Sequence, residues 1–169
     1  MLPNLKFVNR IMKWMRKNMN NKSKIIYWSL LIAWMIIICV MSNQPANISD
    51  SQSIGILDLF SKVGINMNGI FGDLANFVVR KCAHFLEYMI LALLVLNVLK
   101  LYFNMKQVMI LTIVFVFIYA CSDEIHQLFV PGREGAIRDV IIDTCGGITL
   151  ILLKLCKDYL FDNIGCNQK

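Results

Sequence analysis

Residues 119–147 read YACSDEIHQLFVPGREGAIRDVIIDTCGG. The stretch leaves one apolar run, crosses a dense set of charges, and enters another. It joins two predominantly apolar stretches, 107–121 and 137–155, the second carrying Arg138, Asp139, Asp143 and Lys154. Pro131 and Gly132 sit in a connection of about ten residues, which predicts two antiparallel neighbouring helices joined by a polar hairpin. The whole chain has the same character. Of its 169 residues 57% are hydrophobic and only 17% charged, with a mean hydropathy of +0.60. A soluble domain carries about a quarter charged residues. The composition excludes a disordered chain, a nucleic-acid arm and an ordinary soluble enzyme, and it points to a polytopic membrane protein.

Two further apolar stretches precede these, 25–41 and 82–99. A spanning helix needs about 20 residues, so the polar-looking ends of the shorter stretches fall within the bilayer or its interface. Lys6, Arg10, Lys13, Arg16, Lys17, Lys22 and Lys24 come before the first stretch with no acid among them. The net charge of +6 is therefore held by the N terminus and is not a nucleic-acid surface. Basic flanks mark the cytoplasmic side. By that rule the N terminus, the Lys100–Lys106 connection and the tail with Lys154, Lys157 and Lys169 lie inside. Leu5, Val8, Ile11, Met12, Met15 and Met19 recur at helical spacing, predicting a basic amphipathic helix over 5–20 on the inner membrane face. The long basic region and the poor cleavage site at SNQPAN favour an uncleaved anchor over a signal peptide.

The expected fold is all-α: an integral membrane four-helix bundle, with the N-terminal basic amphipathic helix and short outer-face helices between helices one and two. The expected segments are 1–24, 25–157 and 158–169, the last a cytoplasmic tail. Within Ser42–Val79, Ile54, Ile56, Leu57 and Phe60, then Phe71, Leu74, Phe77 and Val78, predict one or two short interfacial helices, with breaks at Gly69 and Gly72.

In this topology the start of helix two, the end of helix three and the start of helix four share the outer side. Arg80, His84 and Glu87 share one helical face, as do Tyr119, Asp123 and His126, with Gln127 alongside. Asp139 and Asp143 are one turn apart, and Gly146 and Gly147 continue that face and admit a close neighbour. Arg80, Lys81, Arg133 and Arg138 stand against Glu87, Asp123, Glu124, Glu134, Asp139 and Asp143, a slight anionic excess. Ionisable groups at membrane depth cost several kcal/mol unless paired or hydrated. That cost favours a functional pocket over ion pairs that merely fix helix packing.

The segments RKCAHFLEY (80–88) and 119–147, with MSNQP at 41–45 as the polar exit of the first helix, resemble the VanZ-like family of membrane proteins. That family shows a basic pair before a His and a Glu-Tyr, an Asp-Glu-x-His-Gln run, a Pro-Gly-Arg turn and an Arg-Asp…Asp-x-x-Gly pattern. The resemblance covers most of residues 30–153. It implies a bacterial cytoplasmic membrane protein and a link to teicoplanin resistance, and it marks as functional Arg80, Lys81, His84, Glu87, Tyr88, Asp123, Glu124, His126, Gln127, Arg133, Arg138, Asp139 and Asp143.

Three chemistries fit these residues. In the first, the pocket binds or processes an outer-leaflet lipid or cell-wall precursor. Arg80, Lys81, Arg133 and Arg138 contact phosphate or carboxylate, which Arg recognises in bidentate fashion. Tyr88, Glu124 and Gln127 complete the binding set, with Tyr88 and Tyr119 as interface anchors. In the second, His84 or His126 is a general base oriented by Glu87, Asp123 or Asp139, with Asp143 in the catalytic set and Ser122 a weak nucleophile. A divalent metal held by the two histidines and two or three carboxylates belongs to this reading. The third, a small transporter, is disfavoured because no charge continues inward through helices one to three. Cys39, Cys82, Cys121, Cys145, Cys156 and Cys166 show no CxxC pair or metal-finger spacing. The four nearest the outer side admit one disulfide. No nucleic-acid module is evident, and the sequence does not set the oligomeric state.

Overall fold

A computed structural model describes residues 5–166, all helix and connection, with no strand among them. Helix α1 spans Leu5–Asn18 and α2 Asn21–Ser42. The Asn20 side chain closes the start of α2 by accepting from the Lys22 and Ser23 amides. Next come α3 (Ala46–Lys62), the short α4 (Met67–Phe71), a 3₁₀ turn (Gly72–Leu74) and α5 (Ala75–Leu99). A capping box of Asn104 and Gln107 starts α6 (Met105–Gln127), and α7 runs Ile137–Cys166. The side chains of Leu5, Ile11 and Met15, residues 1–4, and the last three tail residues including Lys169 lie outside the described residues.

Three helical runs are long and apolar enough to cross a membrane: Asn21–Ser42, Met67–Leu99 and Met105–Gln127. Their outward surfaces are apolar; Ile25, Leu30, Ile32, Ile36, Ile37 and Val40 of α2 are all exposed. Such a surface is costly in water and natural in lipid. Helix α5 is the hub, packing on α7, α2, α6 and α3. Helix α7 lies along α5 and α6, but Arg138, Asp139, Asp143, Lys154 and Lys157 interrupt its apolar sequence. Tyr88, Leu91, Ala92 and Val95 of α5, Val116 and Ala120 of α6 and Ile38 of α2 make the core.

The glycine pair of α7 sets the closeness of the packing. A Cβ at Gly146 would overlap the Phe85 carbonyl oxygen and stand 3.3 Å from the Met89 amide nitrogen, both backbone atoms of α5. A Cβ at Gly147 would stand 3.0 Å from Val116 Cγ1 on α6. Each glycine thus admits one neighbouring helix, as their adjacency on the sequence suggested.

The two ends of the bundle differ. At one, Arg16 donates to the Phe103 carbonyl (3.3 Å) and Asn9 accepts from the Met105 amide (2.9 Å), fastening α1 to the α5–α6 turn. Trp28 of α2 donates to the Tyr102 hydroxyl (3.1 Å), and Lys154 pairs with Asp158 (3.1 Å). Beside Lys154 and Asp158, Lys100 is pushed down to about 8 by burial, then by Lys154, with Asp158 opposing.

The region between α2 and α5 departs from expectation in detail. Gly64 (φ +89°) and Gly72 (φ +54°) make the breaks, whereas Gly69 lies inside α4 with its amide capped by Asn66 (2.8 Å). Helix α3 turns Ser49, Ser53 and Leu57 inward and leaves Ile54, Ile56 and Phe60 exposed. The small serines let α3 lie close on α5. The described cysteines are free thiols.

Candidate functional site

At the other end of the bundle the starts of α5 and α7, the ends of α2 and α6, and α3 come together. Arg80 of α5 pairs with Asp50 of α3 (3.0 Å). Lys81, one residue on, is ion-paired with Asp139 of α7. The Phe77 ring carries both Lys81 Nζ (5.4 Å) and the Arg138 guanidinium (4.9 Å) on its face. Arg133, in the α6–α7 connection, donates from Nε to the Gln44 carbonyl at the exit of α2 (3.1 Å). Burial holds the Arg133 guanidinium below the ordinary arginine range; Arg80 adds repulsion, and Asp123, Asp50 and Glu124 oppose it. An arginine remains charged under such shifts.

Local backbone geometry holds this connection in place. Gly132 takes φ +75°, and the Ala136 amide donates to Glu124 Oε2 (2.8 Å), so the connection folds back on the end of α6. Gly135 sits so close to that helix that a Cβ there would stand 2.6 Å from the Glu124 carbonyl oxygen.

The result is a pocket of about 210 Å³ lined by Arg80, Lys81, Gln127, Arg133, Glu134, Arg138 and Asp139. Its four cations face two acids, so the lining is net cationic although the wider cluster is not. A second cavity of about 190 Å³ shares Arg80 and Arg133 and extends past His84 and Glu87 to the serines of α3. An apolar groove of about 260 Å³ between α6 and α7 meets the first pocket at Ala136. Ile125, Leu128 and Ile137 line that groove and are exposed.

Behind the pocket lie Asp123, Glu124 and Asp143, all buried, with one carboxylate oxygen from each inside a 4.8 Å span. Gln127 donates to Asp123 (3.2 Å), linking the pocket wall to this group. Tyr88 is fully buried, so it is no interface anchor; its hydroxyl faces Asp123, as does that of Ser42. Tyr119 is also internal, donating to the Met35 carbonyl (2.7 Å).

The structure therefore gathers Arg80, Lys81, Gln127, Arg133, Arg138 and Asp139 on one pocket, and Tyr88, Asp123, Glu124 and Asp143 beneath it. His84 and Glu87 face each other at 3.9 Å in the second cavity. His126 is exposed and lies apart from Glu124 around α6, and Ser122 is exposed with its hydroxyl on the Tyr119 carbonyl (2.7 Å). Sequence reading missed Asp50, Ser42, Gln44 and Phe77. MSNQP carried a signal for Ser42 and Gln44; nothing local marks Asp50, whose role comes from α3 folding onto α5.

An all-helical chain with membrane-length apolar helices and a polar pocket at one end is an integral membrane protein of the small polytopic class. Within that class the chain belongs to the VanZ/LLP1 family, whose sequence model matches residues 27–158. The match includes every pocket residue and leaves out α1. No curated protein and no solved structure matches the chain.

Proposed function

We propose that the protein binds the anionic headgroup of a lipid or lipid-linked cell-wall precursor in the pocket of Arg80, Lys81, Arg133 and Arg138. The observation that carries this reading is the convergence of four cations from three parts of the chain on one small cavity. Guanidinium groups take phosphate and carboxylate oxygens in pairs. Asp50, Asp139 and the Gln44 carbonyl hold three of the cations in place before a ligand arrives. The apolar groove that begins at Ala136 offers the ligand's hydrocarbon chain a path towards the bilayer.

In this reading α7 is the fourth span, because Asp139 and Asp143 are buried against the bundle while the exposed Arg138 and Lys157 lie towards its two ends. The basic end, with α1 resting on the membrane, faces the cytoplasm, and the pocket opens on the outer leaflet. The exposed apolar side of α3 lies in the outer interface. Altered glycopeptide susceptibility is the expected phenotype of losing the pocket in a bacterial envelope.

Native mass spectrometry of the gently solubilised chain tests the proposal. The wild type is expected to retain an anionic lipid that Arg80→Gln/Arg138→Gln releases while staying folded. Equal retention by both proteins, or retention of zwitterionic lipid alone, refutes it.

A further inference from the structure

Of the three acids beneath the pocket, Glu124 accepts from the Ala136 amide and Asp123 from Gln127, but Asp143 has no such partner. Asp143 is 0% exposed, and neither of its oxygens has a hydrogen-bond partner. Asp123 and Glu124 are 6% exposed and bring their own charge to the same point. Like charges so close in a medium of low dielectric repel strongly. Arg133 and Lys81 act on these acids from a distance, but each is bonded elsewhere, Arg133 to the Gln44 carbonyl and Lys81 to Asp139.

A second observation points into the same space. Tyr88 is 0% and Ser42 2% exposed, and both hydroxyls face Asp123 without a directed hydrogen bond. Five oxygen-bearing side chains from α2, α5, α6 and α7 thus meet; Gln127 donates to one oxygen of Asp123 and the Ala136 amide to one of Glu124, and Asp143 is left with no donor. The donor set holds only oxygen, and neither histidine belongs to it.

We propose that Asp123, Glu124 and Asp143, with the Tyr88 and Ser42 hydroxyls beside them, hold a hard divalent cation of the Mg²⁺, Mn²⁺ or Ca²⁺ class. Carboxylate and hydroxyl oxygens select that class over zinc or copper. The three carboxylate oxygens lie within 4.8 Å of one another, the span of opposite oxygens around Ca²⁺ at about 2.4 Å; Mg²⁺, at about 2.1 Å, draws them to within about 4.2 Å. The ion neutralises the acids and welds α6 to α7. Through Gln127, which both lines the pocket and bonds Asp123, it fixes the pocket's inner wall. The site stands on its own residues and does not depend on what the pocket above it binds.

Mn²⁺ alone is the probe. The full chain, solubilised in detergent and stripped with chelator, is titrated with Mn²⁺ and read by electron paramagnetic resonance. One saturable Mn²⁺ per chain is expected, displaced by Mg²⁺ or Ca²⁺. Asp143→Asn, which keeps the side-chain shape, is expected to weaken binding about 100-fold or more, since even outer-shell partners of a metal are worth about 10–100-fold. Tyr88→Phe tests the hydroxyl and is expected to weaken it a few-fold; it remains informative if Asp143→Asn fails to fold. Asp158→Asn, at the far end of the bundle, is expected to bind as the wild type does. No saturable binding by the wild type overturns the proposal, as does equal binding by Asp143→Asn and Tyr88→Phe. So does an infrared band of a protonated carboxyl that is present in the metal-loaded wild type and lost in Asp143→Asn. Loss of lipid retention in the Arg80→Gln/Arg138→Gln protein with Mn²⁺ binding intact separates the two sites.

Discussion

Gly146→Ala is the sharpest perturbation of the helix packing that builds the pocket. The new methyl carbon overlaps the Phe85 carbonyl oxygen and lies 3.2 Å from its carbon and 3.3 Å from the Met89 nitrogen. Unstrained carbon contacts lie at about 3.5–4.0 Å, so α5 and α7 must separate by a large fraction of an ångström. No side chain can move aside, because the obstructing atoms are backbone. Overpacking of this kind costs about 1–3 kcal/mol, and here the top of that range applies. Alanine recovers up to about 1 kcal/mol of helix propensity, leaving a net loss of about 2 kcal/mol. Gly147→Ala makes the contrast. Its methyl meets the Val116 side chain at 3.0 and 3.4 Å, a contact that a small shift relieves, so cost and propensity nearly cancel. Unfolding midpoints of the two variants in mixed micelles measure the difference. Gly146→Ala must be clearly the less stable. Equal stabilities, or a Gly146→Ala protein as stable as the wild type, would refute the close approach of α7 to α5.

Lys81→Met leaves the buried Asp139 carboxylate with only the exposed Arg138 at 3.6 Å and is expected to cost about 3 kcal/mol, most of it recovered by adding Asp139→Asn; a double-mutant cycle in the same micelle assay checks this. At the basic end, the Lys100 ammonium, held at about 8, loses its charge as pH rises through that value, while an unfolded lysine keeps its proton until about pH 10. The folded state therefore binds fewer protons in that window, and this group's contribution to stability improves from about pH 8 to 10. Acylation followed by peptide mass spectrometry should show Lys100 reacting half-maximally near pH 8, well below the exposed lysines.

Much of this architecture was legible because a bilayer imposes coarse rules. Apolar runs marked the spans, and the charges of 80–88 and 119–147 marked one shared end. Boundaries were less legible. The apolar stretches end short of the helices: α5 begins at Ala75, and α6 runs to Gln127, the end that the helical spacing of Tyr119, Asp123 and His126 implied. Arg80 and Lys81 are satisfied by Asp50 of α3 and Asp139 of α7, and Gln127 by Asp123 one turn back, and such partners are invisible to a local hydropathy reading. His126 is exposed, yet it lies near enough to Asp123, three residues back, to interact with it electrostatically. It shares a loose face with Tyr119 and Asp123, yet it stands two residues from the buried Glu124, about 200° around the axis. The buried stripe of α6 runs through Val116, Ala120, Asp123, Glu124 and Gln127. Which face of α3 turns inward was not legible: Ser49, Ser53 and Leu57 are buried, while Ile54, Ile56 and Phe60 face outward, as apolar residues do when the surroundings are apolar too.

The most direct test of the pocket compares two probes that differ only in charge: a prenyl monophosphate and the prenyl alcohol of the same chain length, titrated against the protein in nanodiscs of zwitterionic lipid. Two charge-assisted bonds to a guanidinium, each worth about 1.5–3 kcal/mol, predict a preference for the phosphate of at least tenfold, lost in Arg133→Gln. Equal affinity for the two probes, or a preference unchanged in Arg133→Gln, would contradict an anionic headgroup in this pocket.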